Sequence, residues 1–530
     1  MRVLVLAAAL SASLAALAPP ARAQSGALPD MGSSAAQQLT PQQEAEYGAY
    51  TLYQLRRYGM LLEDPLLEDW LDGMGHRIAA ASDRPEQDYT FFLLKDRQIN
   101  AFATLGGYIG ANAGLVLAAE NEDEFAGVLA HEVSHVTQRH VLRAVERAKK
   151  DQLPILLAMV GAIIAARGSS DASDMQQAAV IGGFALAQQR QIDYTRANES
   201  EADRIGIQTL ARAGYDPIGM GDFFARMDRL GRGNSGGYTI PDYLSSHPVT
   251  TSRISESRDR AERLRAEAVP AATATTSKTP LLLPSFVLTG TADPGKQGAR
   301  GPSQFAWARE RLRVLSAPSA NDAVREYELL AKAAGGKPSP AQRYGHALAL
   351  LRQGHPAAAE ATLQDLARAE PGHLWLELAL AEAARAAHKD DLARQRFEAL
   401  LVAHPQNHAV SLSYAIALNE MDTREAGRRA QAVLRPLLAT GGFDALLQKN
   451  FARASVLAGD EARAGEAFAE SAVLNGRADD ALAQLTALLK RDDLDYVQRA
   501  RIEARIAEIT PIALEMERQG IRPEDHPDDA

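Results

Sequence analysis

Residues 129–140 read LAHEVSHVTQRH and place three histidines and one glutamate in a single short stretch. An α-helix turns by about 100° per residue, so His131 and His135, which are four residues apart, leave the same face of a helix. Glu132 lies about 100° from His131, near enough to reach a water molecule on a metal ion without binding the ion itself. This spacing is typical of zinc sites in which two neutral imidazoles hold the ion and the carboxylate takes a proton from bound water. The apolar EFAGVLA before the motif predicts that the helix is buried.

The last histidine of this stretch is a poor candidate for a third ligand. His140 follows His131 by nine residues, which is half a turn round an ideal helix, and we expect it to be a solvated helix residue. The extended form of the motif would require histidine at 141 and glycine at 138, where the chain has Val141 and Gln138.

A second helix is expected to supply the third ligand. The segment ANESEADRIGIQTLARAG (197–214) places Glu199 and Asp203 one turn apart on one helix face. If Glu199 binds the metal, Asp203 can accept a hydrogen bond from the free ring nitrogen of His131. Glu201 competes for the role, but it lies about 200° from Glu199, so the two cannot face the same ion. The alternative explanation is a plain polar helix start.

The composition limits what other chemistry the chain can carry. The 530 residues include no cysteine, so any metal ligand must be His, Asp or Glu, and no disulfide can form. Hydrophobic residues make up 46% of the chain, enough to build sizeable cores. The net charge of −10 is spread without a basic block, which argues against nucleic acid as a partner.

The N-terminus has the pattern of an export signal. Residues 1–23 combine a positive Arg2, an apolar run and an Ala21-Arg22-Ala23 cleavage site, so we expect a cleaved secretory signal and a periplasmic protein. A membrane anchor is the alternative, although the apolar run is short for a span and two prolines interrupt it.

The remaining sequence divides by composition into four regions. Residues 24–265 mix helical periods with a strand-like segment and are predicted to form the domain that carries the metal motif. Residues 266–302 are rich in Ala, Thr, Pro and Gly and are predicted to be a linker. Residues 303–520 are predicted to be helical, and residues 521–530 a disordered tail.

The helical region repeats itself. Pro338, Pro371 and Pro405 recur at intervals of 33 and 34 residues, with a helical pair between each two prolines. This period resembles the tetratricopeptide repeat, whose stacked pairs form a curved surface suited to holding an extended polypeptide or a partner protein. An ordinary helical bundle is the alternative.

The motifs together resemble one enzyme class. The sequence His131-Glu132-x-x-His135, the later E-x-x-A-D beginning at Glu199 and the upstream GGYIGANAGLV are similar to the HtpX/Ste24 class of zinc metallopeptidases. The resemblance implies a gluzincin-like domain that is mainly α with a small β-sheet and is followed here by an α-solenoid. It implies one Zn²⁺ per chain, held by His131, His135 and Glu199, with Glu132 as general base and Asp203 supporting a ligand.

The signal and the repeats resemble the soluble periplasmic branch of that class. This resemblance implies an endopeptidase that degrades, or helps to assemble, misfolded outer-membrane proteins. The repeat region would then select the client protein or contact the outer-membrane assembly machinery. A chaperone or assembly adaptor with a largely latent zinc site is the alternative, and a purely structural zinc is a third.

A glycine-containing strand is the candidate for substrate binding. Residues 100–114 are predicted to form a strand that includes Gly106, Gly107, Tyr108 and Ile109. In proteases of the class that the chain resembles, such a strand would lie beside the cleft and pair with an extended substrate backbone, and the glycines would permit close approach. A plain hairpin strand is the alternative.

His247 is the remaining candidate for a catalytic residue, in Ser246-His247-Pro248. It has three interpretations: it stabilises the oxyanion of the reaction, it binds the zinc as a fourth ligand and keeps the enzyme closed, or it is a loop residue without a role.

Two apolar runs, at 153–166 and 178–187, are too short to span a bilayer. They predict either a buried helical hairpin or an exposed one that contacts a membrane peripherally or an insertion machinery.

Overall fold

The computed structural model describes residues 39–144, 146–147, 195–233, 242–267, 303–439 and 444–518. This part of the chain is mainly α-helical with one small sheet, which confirms the predicted fold class. The predicted signal, the two apolar runs, the tail and nearly all of the linker lie outside the described residues. Among the helices that are described, none combines the length and the apolar character needed to cross a bilayer.

Two capped helices open the described chain. Helix α1 (Pro41–Arg57) follows Thr40, which forms a reciprocal capping box with Gln43. Helix α2 (Pro65–Ala80) follows Asp64, whose carboxylate accepts a backbone N–H of the first turn. Such caps satisfy N–H groups that have no partner within the helix. Asp64 is buried, so its charge is fixed inside the protein at the start of α2.

The sheet has three strands in the order β1-β3-β2. Strand β3 (Tyr108–Asn112) runs parallel to β1 (Thr90–Leu94) and antiparallel to β2 (Ala101–Ala103). The middle strand β3 is therefore paired along both of its sides.

The prediction of one strand through residues 100–114 is wrong. A 3₁₀ turn at Leu105–Gly107 separates β2 from β3. Gly106 and Gly107 have φ values of 71° and 84°, and such positive values favour glycine because it has no Cβ. The paired glycines therefore make the turn between two strands.

Helix α4 (Glu122–Thr137) carries the His-Glu-x-x-His motif and is buried, as its sequence predicts. It follows the short helix α3 (Ala113–Ala118). Phe125 and Val133 of α4 are fully buried, and the Trp70 ring of α2 stacks on Phe125 with 5.4 Å between centroids. The motif thus lies in the core, where side-chain positions are restricted by packing.

The chain changes direction directly after α4. Arg139 has a φ of 54°, and its guanidinium pairs with Glu44 of α1. Helix α5 begins at residue 140 and is described to residue 147, apart from residue 145. The helical periodicity of α4 therefore does not predict the side-chain directions of residues after Thr137.

Helix α6, described over residues 195–212, passes close to α4. A Cβ at Gly206 would lie 3.0 Å from the backbone oxygen of Ala130, so a larger residue would push the two helices apart. Three further helices complete this unit: α7 (Ile218–Gly233), α8 (Asp242–Ser246) and α9 (Thr251–Glu267).

Residues 303–439 and 444–518 form a helical array in which each described helix packs against the next. Three consecutive helical pairs show the repeat. Their first helices begin at residues 340, 374 and 408 and their second helices at 356, 390 and 424, so both series have a 34-residue spacing. This matches the period predicted from the prolines. The helices of the array are α10 (Phe305–Leu315), α11 (Ala320–Ala333), α12 (Pro340–Arg352), α13 (Pro356–Ala369), α14 (Leu374–Ala386), α15 (Asp390–Ala403), α16 (His408–Glu420), α17 (Arg424–Leu438), α18 (Ala445–Ala458), α19 (Glu461–Leu474), α20 (Ala478–Leu488) and α21 (Tyr496–Arg518).

The first helix of the array is joined to α2 by a buried ion pair. Arg311 donates from Nε and Nη2 to both carboxylate oxygens of Asp64, at 2.8–2.9 Å. The same guanidinium reaches Glu382 of α14 at 2.9 Å. Phe305 of α10 packs beside Trp70, with 6.2 Å between ring centroids.

Two further contacts attach the array to the N-terminal unit. His408 lies between Asp69 of α2, at 3.2 Å, and Asp444 of the array, at 2.9 Å. Near the far end of the array, Arg56 of α1 donates to the backbone oxygen of Leu474 at 2.6 Å. The array thus bends back and touches α1, the first described helix.

Candidate metal centre

Four side chains from three parts of the chain meet in one cluster. His131 and His135 come from α4, Glu199 from α6 and His247 from the residue after α8. Each offers a nitrogen or oxygen donor, and these four atoms lie within 4.8 Å of one another. The structure therefore brings the three predicted ligands together and places His247 with them.

The donor atoms of the first three residues face one another. The two Nε2 atoms of His131 and His135 are 3.0 Å apart. The Glu199 carboxylate lies 3.4 Å from Nε2 of His131 and 3.5 Å from Nε2 of His135. His131 is fully buried and Glu199 is 3% exposed, so the cluster is nearly dry.

His247 approaches the cluster through Nδ1. This nitrogen is 3.1 Å from both carboxylate oxygens of Glu199 and 3.4 Å from Nε2 of His131. Tyr243 of α8 stacks on the His247 ring with 4.9 Å between centroids, which holds the imidazole in place. Of the three interpretations of His247, the free loop residue does not agree with these contacts.

Asp203 lies on the outer side of His131. Its Oδ1 is 3.0 Å from Nδ1 of His131, within ion-pair distance, although the two groups are not aligned as a regular hydrogen bond. This is the position that the sequence predicts for Asp203. Arg253 of α9 then holds Asp203 through two hydrogen bonds, of 2.6 and 2.8 Å, and reaches Glu199 at 3.0 Å.

Arg253 is a residue to which sequence reasoning assigns no role. It also donates to the Pro248 backbone oxygen at 2.8 Å, and its guanidinium lies over the Phe224 ring at 4.8 Å. The sequence offers only its place six residues after His247 as a signal. Its position shows that one arginine links α6 to the segment that carries His247.

The charges around His131 shift the pKa values of the cluster. Burial by itself lowers the pKa of His131, but Asp203 and Glu199 outweigh this effect and raise it to about 10. Burial alone would raise the pKa of Glu199, but hydrogen bonds from His131 and His247 hold it well below its usual range. Glu199 is therefore ionised and can act as an anionic ligand.

The residues of the cluster fit a divalent metal ion. Three imidazole nitrogens and a carboxylate oxygen form a donor set that zinc prefers, and two Nε2 lone pairs cannot face each other at 3.0 Å without a proton or cation between them. Oε1 of Glu132 is buried beside the cluster, 3.6 Å from Nε2 of His247, and it makes no hydrogen bond among the described residues. Water on a metal ion would satisfy this oxygen.

The predicted substrate strand requires correction. Tyr108 and Ile109 belong to β3, whose two sides are already paired with β1 and β2, and Gly106 and Gly107 form the preceding turn. None of these four residues offers a free strand side to an extended peptide. The edge strand beside α4 is β2.

The prediction for His140 is also wrong. His140 is 3% exposed, and its Nδ1 lies 3.0 Å from Nδ1 of His135. The prediction extended the geometry of α4 through residue 140, whereas the helix ends at Thr137 and Arg139 adopts a left-handed conformation. Glu201, the rejected competitor of Glu199, contacts His140. It does not join the cluster.

Comparison with known proteins places this site in a family. Residues 65–261 match peptidase family M48. The chain is 30% identical over 502 residues to the beta-barrel assembly-enhancing protease of Escherichia coli strain K12, covering 93% of each protein. It is 41% identical over 236 residues to a putative beta-barrel assembly-enhancing protease of Vibrio cholerae, covering 44% of this chain and 48% of that one.

More distant similarity extends to mitochondrial enzymes. The chain is 28% identical over 193 residues to the mitochondrial metalloendopeptidase OMA1 of Arabidopsis thaliana, covering 35% of each protein. The resemblance drawn from the motifs is thus confirmed. The chain belongs to peptidase family M48, in the group of the beta-barrel assembly-enhancing proteases, and is a metalloprotease.

Proposed function

We propose that this chain is a periplasmic zinc endopeptidase that acts on misassembled outer-membrane proteins. His131, His135 and Glu199 would hold one Zn²⁺, and Glu132 would be the general base. The observation that carries this proposal is the convergence of the three donors in a buried cluster, with Oε1 of Glu132 beside it and without a hydrogen bond among the described residues. The names of the bacterial relatives support the substrate class.

Each residue of the site has a task in peptide hydrolysis. Zinc, when bound, would polarise the peptide carbonyl and lower the pKa of a water molecule. Glu132 would take a proton from the attacking water and deliver it to the nitrogen of the leaving amine. Asp203 and Arg253 would keep His131 and Glu199 in position, as contacts behind metal ligands do.

We further propose that His247 is a fourth ligand that holds the enzyme closed. Support comes from both ring nitrogens: Nδ1 faces Glu199 and His131, and Nε2 lies 3.6 Å from Oε1 of Glu132, so neither faces an empty space where an oxyanion would develop. Four protein ligands leave no position for the attacking water, so the enzyme would be latent until a substrate or partner moves His247 away. Replacing His247 with alanine should then raise peptidase activity, whereas an oxyanion role requires a loss.

We propose that the substrate contacts strand β2 in place of residues 106–109. Its residues Phe102 and Ala103 are partly exposed, and β2 is an edge strand, which is where an extended peptide can add to a sheet. The backbone N–H of Tyr243 donates to the Ile99 oxygen just before β2. A peptide added here would therefore lie close to the helix that leads to His247.

The helical array would bind the client protein or the outer-membrane assembly machinery. Curved arrays of paired helices present an extended surface for a polypeptide. The second candidate function is an assembly adaptor with little proteolysis, and the place of His247 in the cluster favours it. No nucleic acid is expected as a partner, because the chain is acidic.

Glu132→Gln distinguishes the two functions. We expect the variant to bind one zinc per chain, as the wild type does, but to hydrolyse an unfolded β-barrel protein at least about 10²-fold more slowly. The same change at the exposed Glu256 of α9 is the control. If Glu132→Gln still cleaves the substrate at the wild-type rate with zinc bound, the proposed mechanism is wrong.

A further inference from the structure

The outer sides of the two histidine ligands have different neighbours. The Nδ1 atom of His131 faces the carboxylate of Asp203. The Nδ1 atom of His135 faces another imidazole, because Nδ1 of His140 lies 3.0 Å away. His140 reaches this position from the start of α5, after the left-handed turn at Arg139.

A chain of polar contacts continues from His140 toward the surface. Its Nε2 lies 3.2 Å from Oε2 of Glu201 on α6. Nη1 of Arg143 donates to the same oxygen at 3.0 Å and to the backbone oxygen of Gln138 at 3.2 Å. The Glu201 side chain is 29% exposed, whereas His140 is buried. The contacts therefore connect a buried ligand to an ion pair at the edge of the unit.

The contact with Glu201 determines which ring nitrogens of His140 and His135 carry a hydrogen. A carboxylate accepts hydrogen bonds only, so Nε2 of His140 must carry the hydrogen that Glu201 receives. A neutral imidazole has one N–H, which leaves Nδ1 of His140 as an acceptor. His135 must then donate from its Nδ1. Its Nε2, the atom that faces His131, is left with a free lone pair.

Burial supports the neutral form of both rings. The His140 side chain is 3% exposed and the His135 side chain 11%, and burial disfavours the charged form of an imidazole. Two neutral rings in this order make an unbroken line of donors that points away from the cluster. The line ends at an anion that Arg143 holds in place.

We propose that His140 and Glu201 are positioning residues for His135: they fix the tautomer and the ring orientation in which Nε2 faces the metal. The proposal rests on the proposed function, because it requires His135 to be a ligand. Neither residue belongs to the donor cluster, so neither is a catalytic residue. A ligating histidine generally needs a partner for its other ring nitrogen, and this contact commonly changes metal affinity by about 10–100-fold.

Two substitutions at one position separate the two contacts of His140. Asparagine places an amide near the position of the histidine Nδ1, so His140→Asn keeps an acceptor for His135 and loses Glu201. Glutamine places its amide near the position of Nε2, so His140→Gln keeps the contact to Glu201 and loses His135. Glu201→Leu leaves His140 in place but removes the acceptor that orders its protons.

Zinc affinity of the full mature chain, measured by competition with a fluorescent chelator, is the main measurement. We expect His140→Gln to bind zinc about 10–100-fold more weakly than the wild type, and Glu201→Leu about tenfold more weakly. His140→Asn should recover most of the loss. The visible spectrum of the cobalt-substituted protein should change in His140→Gln and resemble the wild type in His140→Asn. His346→Asn, at a half-buried histidine of the helical array, is the matched control.

The outcomes separate this inference from the proposed function. If the wild type binds no zinc, the proposed function fails. If the wild type binds zinc and His140→Gln binds it equally well, or if His140→Asn loses as much affinity as His140→Gln, the positioning role is wrong. Circular dichroism melts show whether each variant is folded. Should His140→Gln not fold, unchanged affinity in Glu201→Leu overturns the inference by itself.

Discussion

The buried pair between Arg311 and Asp64 gives the sharpest prediction for stability. Arg311→Met removes the only guanidinium that, among the described residues, contacts Asp64, while methionine keeps much of the side-chain volume. The side chain of Asp64 is 7% exposed, so its charge cannot be hydrated without movement. Glu382, the other partner, is 25% exposed and can turn to solvent. The cost of the substitution therefore arises mainly at Asp64.

The size of this cost follows from the contacts that Asp64 keeps. Removing one partner of a buried ion pair typically costs about 3–5 kcal/mol. Asp64 still accepts the Leu67 N–H and still lies at a helix N-terminus, which favours a negative charge. We therefore expect about 2–3 kcal/mol of local stability to be lost at the start of α2. This corresponds to amide exchange that is about 30–150-fold faster.

Hydrogen–deuterium exchange with mass spectrometry measures this directly on peptides that cover α2. Arg343→Met, which removes a partly exposed arginine of the array, is the control and should leave α2 unchanged. The double variant Arg311→Met/Asp64→Asn keeps the helix cap but removes the stranded charge, so its exchange should be about tenfold slower than in the single variant. The reasoning would be refuted if α2 exchanged at the wild-type rate in the single variant, or as fast in the double variant as in the single one.

Three further predictions follow from other parts of the structure. Removal of the metal with a chelator should abolish peptide hydrolysis, and stoichiometric zinc should restore it; activity that persists without metal contradicts the proposed site. Burial lowers the pKa of His408, but Asp444 and Asp69 raise it to about 10. The protonated His408 therefore stabilises the folded state fully below about pH 6.5, and this stabilisation is lost as the pH rises toward 10. The difference in melting temperature between wild type and His408→Gln should accordingly be larger at pH 6 than at pH 10, and a difference that grows with pH would exclude this role. Gly107→Ala should cost about 2 kcal/mol or more in a thermal melt, because a Cβ at its positive φ would overlap the Asp88 backbone oxygen; an unchanged melt would contradict this.

Local periodicity predicts much of the fold and of the candidate site. The spacing of His131 and His135 depends only on helix geometry, and the structure places both in one helix. Glu199 and Asp203 are likewise separated by one helical turn, and they face the cluster together. The 34-residue period of the array is visible in the prolines because each repeat contacts mainly its neighbours.

Features that depend on distant contacts were not predictable in the same way. The order of the strands places Tyr108 and Ile109 in the middle of the sheet, and sheet order depends on pairing between separate segments. Helix periodicity places His140 on the wrong face because the helix ends two residues after His135, and Arg139 then turns toward Glu44. Arg253 acts across three segments of the chain, and no spacing rule connects it with Asp203.

The contact between Arg56 and Leu474 has a consequence for how this protein can vary between species. An open-ended solenoid can gain or lose a unit during evolution, since only neighbouring units contact one another. Here the nineteenth described helix contacts the first one. Inserting or deleting one unit would move Leu474 away from Arg56 and break this hydrogen bond. Length changes should therefore be confined to connecting segments or to the chain beyond this junction, and the count of helical pairs before it should stay constant.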